Sequence, residues 1–98
     1  MKRSKEHKEW CRLCKERDGS VCSVCGKPSK QLNVHHLVPR NFTEWALDID
    51  NGLCLCPGCH TLGRWSAHKN PIWFTDWLCV NRFKQYMLAR RRIEELKG

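Results

Sequence analysis

Polar and apolar positions alternate with a helical period at both ends of the chain and more tersely in the middle. In residues 4–17, SKEHKEWCRLCKER, Trp10, Leu13 and Cys14 fall at i, i+3 and i+4 with charges opposite, which predicts an amphipathic helix. Asp18-Gly19 stops it. KQLNVHHLV reads as a short strand ended by Pro39. RNFTEWALDID has no clear period, and its Phe42, Trp45 and Leu47 are expected to pack on the core. NGLCLC enters a second short strand from an Asn-Gly turn. Pro57 opens a helix through PGCHTLGRWSAH, weakened by Gly63. Asn70 and Pro71 are an N-cap and first helical residue for NPIWFTDWLCV, with Trp73, Phe74, Trp77 and Leu78 as its buried stripe. Asn81 is expected to cap a last helix over roughly residues 82–97.

This order predicts one α+β domain over residues 1–98. Its core lies at about residues 20–70, flanked by helices at about 4–17 and 71–97. A chain of 98 residues buries a modest core, and domains of this size often lean on a metal or disulfides. Eight cysteines fit either device. The N-terminus, MKRSKEHKEW, has no apolar signal region, and no run approaches the ~18 apolar residues of a membrane span. A cytoplasmic protein with metal-bound thiolates is therefore expected, without membrane association.

The strongest local signal is a pair of CxxC motifs, Cys22/Cys25 and Cys56/Cys59. The first pair sits in a glycine-containing knuckle and the second at a helix start, where free N–H groups stabilise thiolates. Four thiolates suit one structural Zn2+, and a knuckle facing a helix N-terminus is the plan of a treble clef. Cys11, Cys14, Cys54 and Cys79 remain. They read mainly as small packing residues, with a second metal as the alternative.

The charge of +8 is concentrated at the ends. Residues 1–17 carry seven Lys/Arg against three Glu, residues 80–98 carry six against two, and residues 18–79 balance five against five. Such ends suit a polyanion, or are solvated helix faces.

His36 is followed by fourteen residues and then Asn51, and Asn51 by eight residues and then His60, interleaved with the paired cysteines. Together, CSVCG, LNVHHLVP, LDIDNGLCLCPGCH and the trailing AHKNP resemble the HNH endonucleases over roughly residues 10–78. The resemblance implies a zinc-stabilised ββα-metal (His-Me finger, treble-clef) core holding one catalytic divalent ion. Position by position, it makes His35 a metal ligand, His36 the general base, Asn51 the brace of the loop between the strands, and His60 the second metal ligand. It implies hydrolysis of DNA phosphodiesters to 5′-phosphate and 3′-hydroxyl ends, with low sequence specificity. Neighbouring strand residues face opposite ways, so His35 and His36 can divide the work between ion and water.

Two departures from the family pattern matter. Many members have Asp where His35 stands. Two imidazoles favour Mn2+, Ni2+, Co2+ or Zn2+ relative to Mg2+. Colicin nuclease domains carry a further histidine four residues after the helix ligand, where this chain has Arg64. On a continuing helix Arg64 would share a face with His60 and could reach the phosphate, or simply be solvated. His68 is a weaker metal or phosphate contact if Gly63 ends the helix. Lys2, Arg3, Lys5, Lys8, Arg82, Lys84, Arg90, Arg91 and Arg92 are the remaining phosphate contacts expected. DNA is thus the expected partner. Free-standing family members of this size are often phage-encoded and associated with DNA packaging or recombination proteins. A non-catalytic zinc-binding adaptor for DNA or a partner protein is the alternative. A thiol redox protein is disfavoured, because no βαβ pattern accompanies the CxxC motifs.

Overall fold

A computed structural model describes residues 4–98. Lys2 and Arg3 lie outside the described residues. Helix α1 spans Lys5–Arg17, capped by Ser4, whose side chain accepts from the His7 N–H at 3.0 Å. Strands β1 (Asn33–His36) and β2 (Gly52–Leu55) form an antiparallel pair. Helices α2 (Pro71–Asn81) and α3 (Phe83–Lys97) follow. No helix among the described residues is long and apolar enough to cross a membrane. The result is a small α+β fold around a two-stranded sheet.

The sheet separates two apolar layers. Antiparallel partners share a face, so Val34 with Cys54 and His36 with Gly52 look one way, and His35 with Leu53 and Asn33 with Leu55 the other. Trp10, Cys11 and Cys14 of α1 cover the first face with Val34. Phe74 and Leu78 of α2 cover the second, joining Leu53, Leu55, Cys22 and Ala67 in the larger core cluster. Gly52 makes the first packing possible: a Cβ there would stand 2.6 Å from Cys14 Sγ and 2.7 Å from Trp10 Cζ2. The Trp10 indole also donates to the Asp48 carbonyl at 2.7 Å, fixing the helix to the loop before β2.

Several expectations are corrected. The buried stripe of α1 is Trp10, Cys11 and Cys14, while Leu13 is 38% exposed. Trp10 docks over Gly52 and rotates Leu13 toward solvent. Strand β1 is shorter than predicted, pairing only over Asn33–His36, whereas β2 is the short strand expected. Phe42 and Leu47 are exposed, and Trp45 is half-buried beneath the Arg92 guanidinium at 5.2 Å from the ring centre. Asn81 does not cap α3. It is the last residue of α2 and its side chain donates to the Trp77 carbonyl, while Arg82 forms the corner.

The helix expected from Pro57 is a single wide turn, Gly58–Leu62, closed by the Gly63 N–H on the Gly58 carbonyl at 2.8 Å. A Cβ at Gly63 would lie 2.6 Å from that carbonyl oxygen, so the closure needs glycine. The chain then doubles back. Ala67 N–H donates to Cys59 O at 2.8 Å and His68 N–H to His60 O at 3.0 Å.

The far ends of the chain meet at Asp18. Its carboxylate, 1% exposed, accepts from Arg17 at 2.8 Å, from Arg82 at 3.2 Å and from the Cys54 N–H at 3.0 Å. Helix α3 has no fully buried residue. Tyr86 packs against the larger core cluster, and polar ties add to it: Gln85 donates to the Asp50 and Gly52 carbonyls at 3.1 Å, and Arg92 pairs with Asp48 at 2.5 Å.

Candidate metal centres and catalytic groove

Two clusters of metal-ligating side chains lie side by side. The first is Cys22, Cys25, Cys56 and Cys59, whose sulfurs all lie within 4.8 Å of one another. The knuckle that presents Cys22 and Cys25 closes through Gly26, at φ 75°, which donates to the Cys22 carbonyl at 2.8 Å. The Ser23 N–H donates to the Cys54 carbonyl at 2.9 Å, locking the knuckle to β2. Cys56 and Cys59 flank the start of the wide turn. Four sulfurs at ~2.3 Å from a tetrahedral zinc stand about 3.8 Å apart, and Cys25 Sγ lies 3.9 Å from Cys56 Sγ. Burial works to raise the Cys22 thiol, but N–H groups of Cys25, Cys56 and Val24 outweigh it and push it down to about 7. The set thus fits a structural zinc.

The other cysteines do not form a comparable set. Cys14 and Cys54 are buried, and burial pushes both thiols up to about 11, the behaviour of packing residues. Among the described residues the only metal-competent groups are the four cysteines above and a trio of histidines.

That trio is His35, His60 and His68. His35 comes from β1 on the α2 side of the sheet, with its ring edge-on to Phe74 at 5.2 Å. His60 comes from the wide turn, and its Nδ1 donates to Asn33 Oδ1 at 3.2 Å in the tautomer that leaves Nε2 with its lone pair. His68 arrives by the reversal after Gly63 and sets Nε2 3.1 Å from His60 Nε2. Two imidazole nitrogens at ~2.1 Å from one ion stand about 3.0–3.4 Å apart, from right-angle to tetrahedral geometry. The separation fits a shared ion. Burial, with neighbouring imidazoles, pushes His35 down to about 3, and burial also lowers His60. Neutral rings keep the lone pairs that a metal needs.

His36 lies on the other face. Its ring stacks on Trp10 at 4.2 Å and faces His7 at 6.1 Å. With Nε2–H donating to the Ala46 carbonyl at 3.0 Å, Nδ1 is left as an acceptor. Asn51 is 1% exposed and binds Val38 twice, accepting from its N–H at 2.8 Å and donating to its carbonyl at 3.0 Å. A cavity of about 680 Å3 opens between these elements and is lined by all three trio histidines and His36.

The cations divide into two groups. Lys5, Lys8, Lys84, Arg90 and Arg91 are exposed, and Arg90 lines the cavity. Arg82 and Arg92, expected to contact phosphate, are instead bound to Asp18 and Asp48 within the fold. Arg64 does not continue the face of His60, because the turn ends at Gly63 before reaching it. Arg40 lines the cavity and was not singled out by the charge pattern, although its place just after Pro39 puts it at the mouth of the loop. The full weight of His68 was equally hidden, since it depends on the reversal at Gly63.

The family model for HNH endonuclease matches residues 22–62, the span from the first cysteine of the four-cysteine cluster to the end of the wide turn. The chain is also similar to Anaredoxin of Nostoc sp. (strain PCC 7120 / SAG 25.82 / UTEX 2576), 38% identical over 62 residues, which is 62% of this chain and 79% of that protein. No solved structure matches.

Proposed function

The chain belongs to the HNH endonuclease family, and from that premise we propose that it is a metal-dependent DNA endonuclease acting through His36. The reading takes the whole of residues 1–98 as one nuclease domain. Its centre would be a treble-clef zinc site joined to a ββα-metal site in which a short turn replaces the usual helix. The observation that carries it is the pair of orientations at His35 and His36, one ring among three converging imidazoles and the next tied to a backbone carbonyl.

His35, His60 and His68 would hold one divalent ion. When bound, that ion neutralises charge on the phosphate and on the leaving 3′ oxygen. His36 takes the proton from the attacking water at Nδ1. Its Nε2–H bond to Ala46 fixes the tautomer, and the Trp10 face fixes the ring plane. Asn51 holds Val38, two residues beyond His36, so the loop after β1 keeps its path. Three neutral nitrogens form a softer site than carboxylates, which favours Mn2+, Ni2+, Co2+ or Zn2+ over Mg2+. The four cysteines hold the wide turn, and with it His60, in register through a structural zinc. Exposed lysines and arginines supply salt-sensitive attraction to the DNA backbone.

Supercoiled plasmid incubated with Mg2+, Mn2+ or Ni2+ tests the proposal. Wild type should nick it, and His36→Ala should lose at least about 100-fold in rate while keeping its melting temperature and DNA binding. Retained binding without nicking under any ion would instead make the chain an adaptor.

A further inference from the structure

The groove beside the histidines is larger than a phosphodiester requires, and it has two chemically different ends. At one end stand the imidazoles of His35, His60 and His68. At the other, the cavity runs on between α2 and α3 over Phe74 and Leu78, toward Tyr86, Ala89, Arg90 and Ile93. The four α3 residues follow the i, i+3, i+4, i+7 spacing of one helix face. A stripe holding Tyr, Ala and Ile ordinarily buries itself in a core. Here it is only half-buried: Tyr86 packs against the edge of the larger core cluster, and the rest of the stripe lines the cavity, on a helix with no fully buried residue. Arg90 donates to the Tyr86 hydroxyl at 3.4 Å, and its guanidinium stands 5.7 Å from the centre of that ring. One flat aromatic face is thus already paired with a cation. Glu94, one turn beyond Arg90, also faces the cavity and disfavours an anion at that end.

We infer that this apolar end takes a nucleobase lifted out of its stack, next to the phosphate held at the histidine end, so that the substrate is single-stranded or locally unpaired DNA. The inference rests on DNA being the substrate, and it names the form of that DNA. A bare phosphate would occupy only the polar end, and an apolar peptide only the other. A nucleotide carries both characters in one unit. A base inside a duplex cannot enter a side cavity without unstacking, whereas a single strand offers its bases freely. Tyr86 supplies the stacking surface and Arg90 reinforces it through the same ring.

Fluorescence anisotropy with a labelled single-stranded oligonucleotide, and with its duplex, tests this at fixed salt with no divalent ion added. Wild type should bind the single strand about tenfold more tightly than the duplex. Tyr86→Ala should weaken single-strand binding about tenfold, with Tyr86→Phe close to wild type and duplex binding nearly unchanged. Ala89→Trp, which fills the cavity and removes no contact, should weaken the single strand equally. Melting curves identify any variant that fails to fold, so the filled and truncated cavities test the idea separately. Equal affinity for both DNA forms, or folded Tyr86→Ala and Ala89→Trp proteins that bind the single strand like wild type, overturns the inference. Plasmid nicking is scored in parallel. If nicking fails while the Tyr86 effect holds, the nuclease reading falls and the base pocket stands. If nicking holds without a Tyr86 effect, only the pocket falls.

Discussion

Asn51 grips Val38 by both of its backbone groups, taking its N–H at 2.8 Å and giving a proton to its carbonyl at 3.0 Å. A side-chain amide does both at once, whereas an ionised carboxylate accepts without donating. Asn51→Asp should therefore leave the Val38 carbonyl unpaired and bury a charge beside it. The expected cost is about 2–4 kcal/mol, which for a domain of this size lowers the melting temperature by roughly 10 °C or more. Thermal unfolding of the two proteins measures it.

Acid should act through Asp18. Burial works against its ionised form, but Arg17, the Cys54 N–H and Arg82 together hold its pKa below the ordinary 3.8. A depressed carboxylate contributes stability above its unfolded pKa and loses it as pH falls through the folded value. Asp18→Asn should therefore be less stable than wild type at neutral pH by about 2–3 kcal/mol. That gap should close as pH drops below about 3.8. Urea midpoints across pH 7 to 3 read the difference, and a gap constant with pH would contradict the assignment.

Metal analysis should find one zinc per chain at the four cysteines when no other divalent ion is supplied in excess. Cys25→Ser removes an exposed ligand whose loss leaves no core cavity. Its effect on folding should therefore come through the metal, as a melting temperature lowered by at least about 10 °C. Replacing Cys14 or Cys54 by alanine should leave the zinc content unchanged.

Gly52→Ala should displace α1. The added methyl would meet Cys14 Sγ at 2.6 Å and Trp10 Cζ2 at 2.7 Å, both on buried side chains. Overpacking of this kind costs about 1–3 kcal/mol. Because Trp10 moves away from the His36 ring, histidine resonances of His36 should shift in NMR spectra along with the loss of stability.

His68→Ala should weaken divalent-ion binding at the histidine trio by at least about tenfold in calorimetry with Mn2+ or Ni2+. Zinc content and melting should stay near wild type, since His68 is exposed and lies outside the core. Unaltered ion affinity would reduce the site to His35 and His60.

Local signals carried far in this chain where the chemistry is local. The cap at Asn70 and the proline at position 71 start α2 where expected, and Asn70 accepts from the Trp73 N–H. The paired CxxC motifs converge as their contexts implied. Long-range partners were not legible. A count of basic residues treats Arg82 and Arg92 like Arg91, yet their carboxylates stand 64 and 44 residues away in sequence. The position of His68 followed from a single glycine that cuts the helix short and lets the backbone return along itself. Leu13 and Cys11 exchanged places on α1 because the stripe is set by what Trp10 meets on β2, which no helical period contains.

Asp18 joins the end of α1, the backbone of β2 and the corner between α2 and α3. A flanking helix of a small domain usually frays before its centre does. Here neither terminal helix can peel away without exposing the same carboxylate, so the basic arms and the sheet with its two ligand clusters should come apart in one cooperative event. Amide exchange in α3 would then slow to the rate of global opening near Arg82, even though no residue of the helix is fully buried.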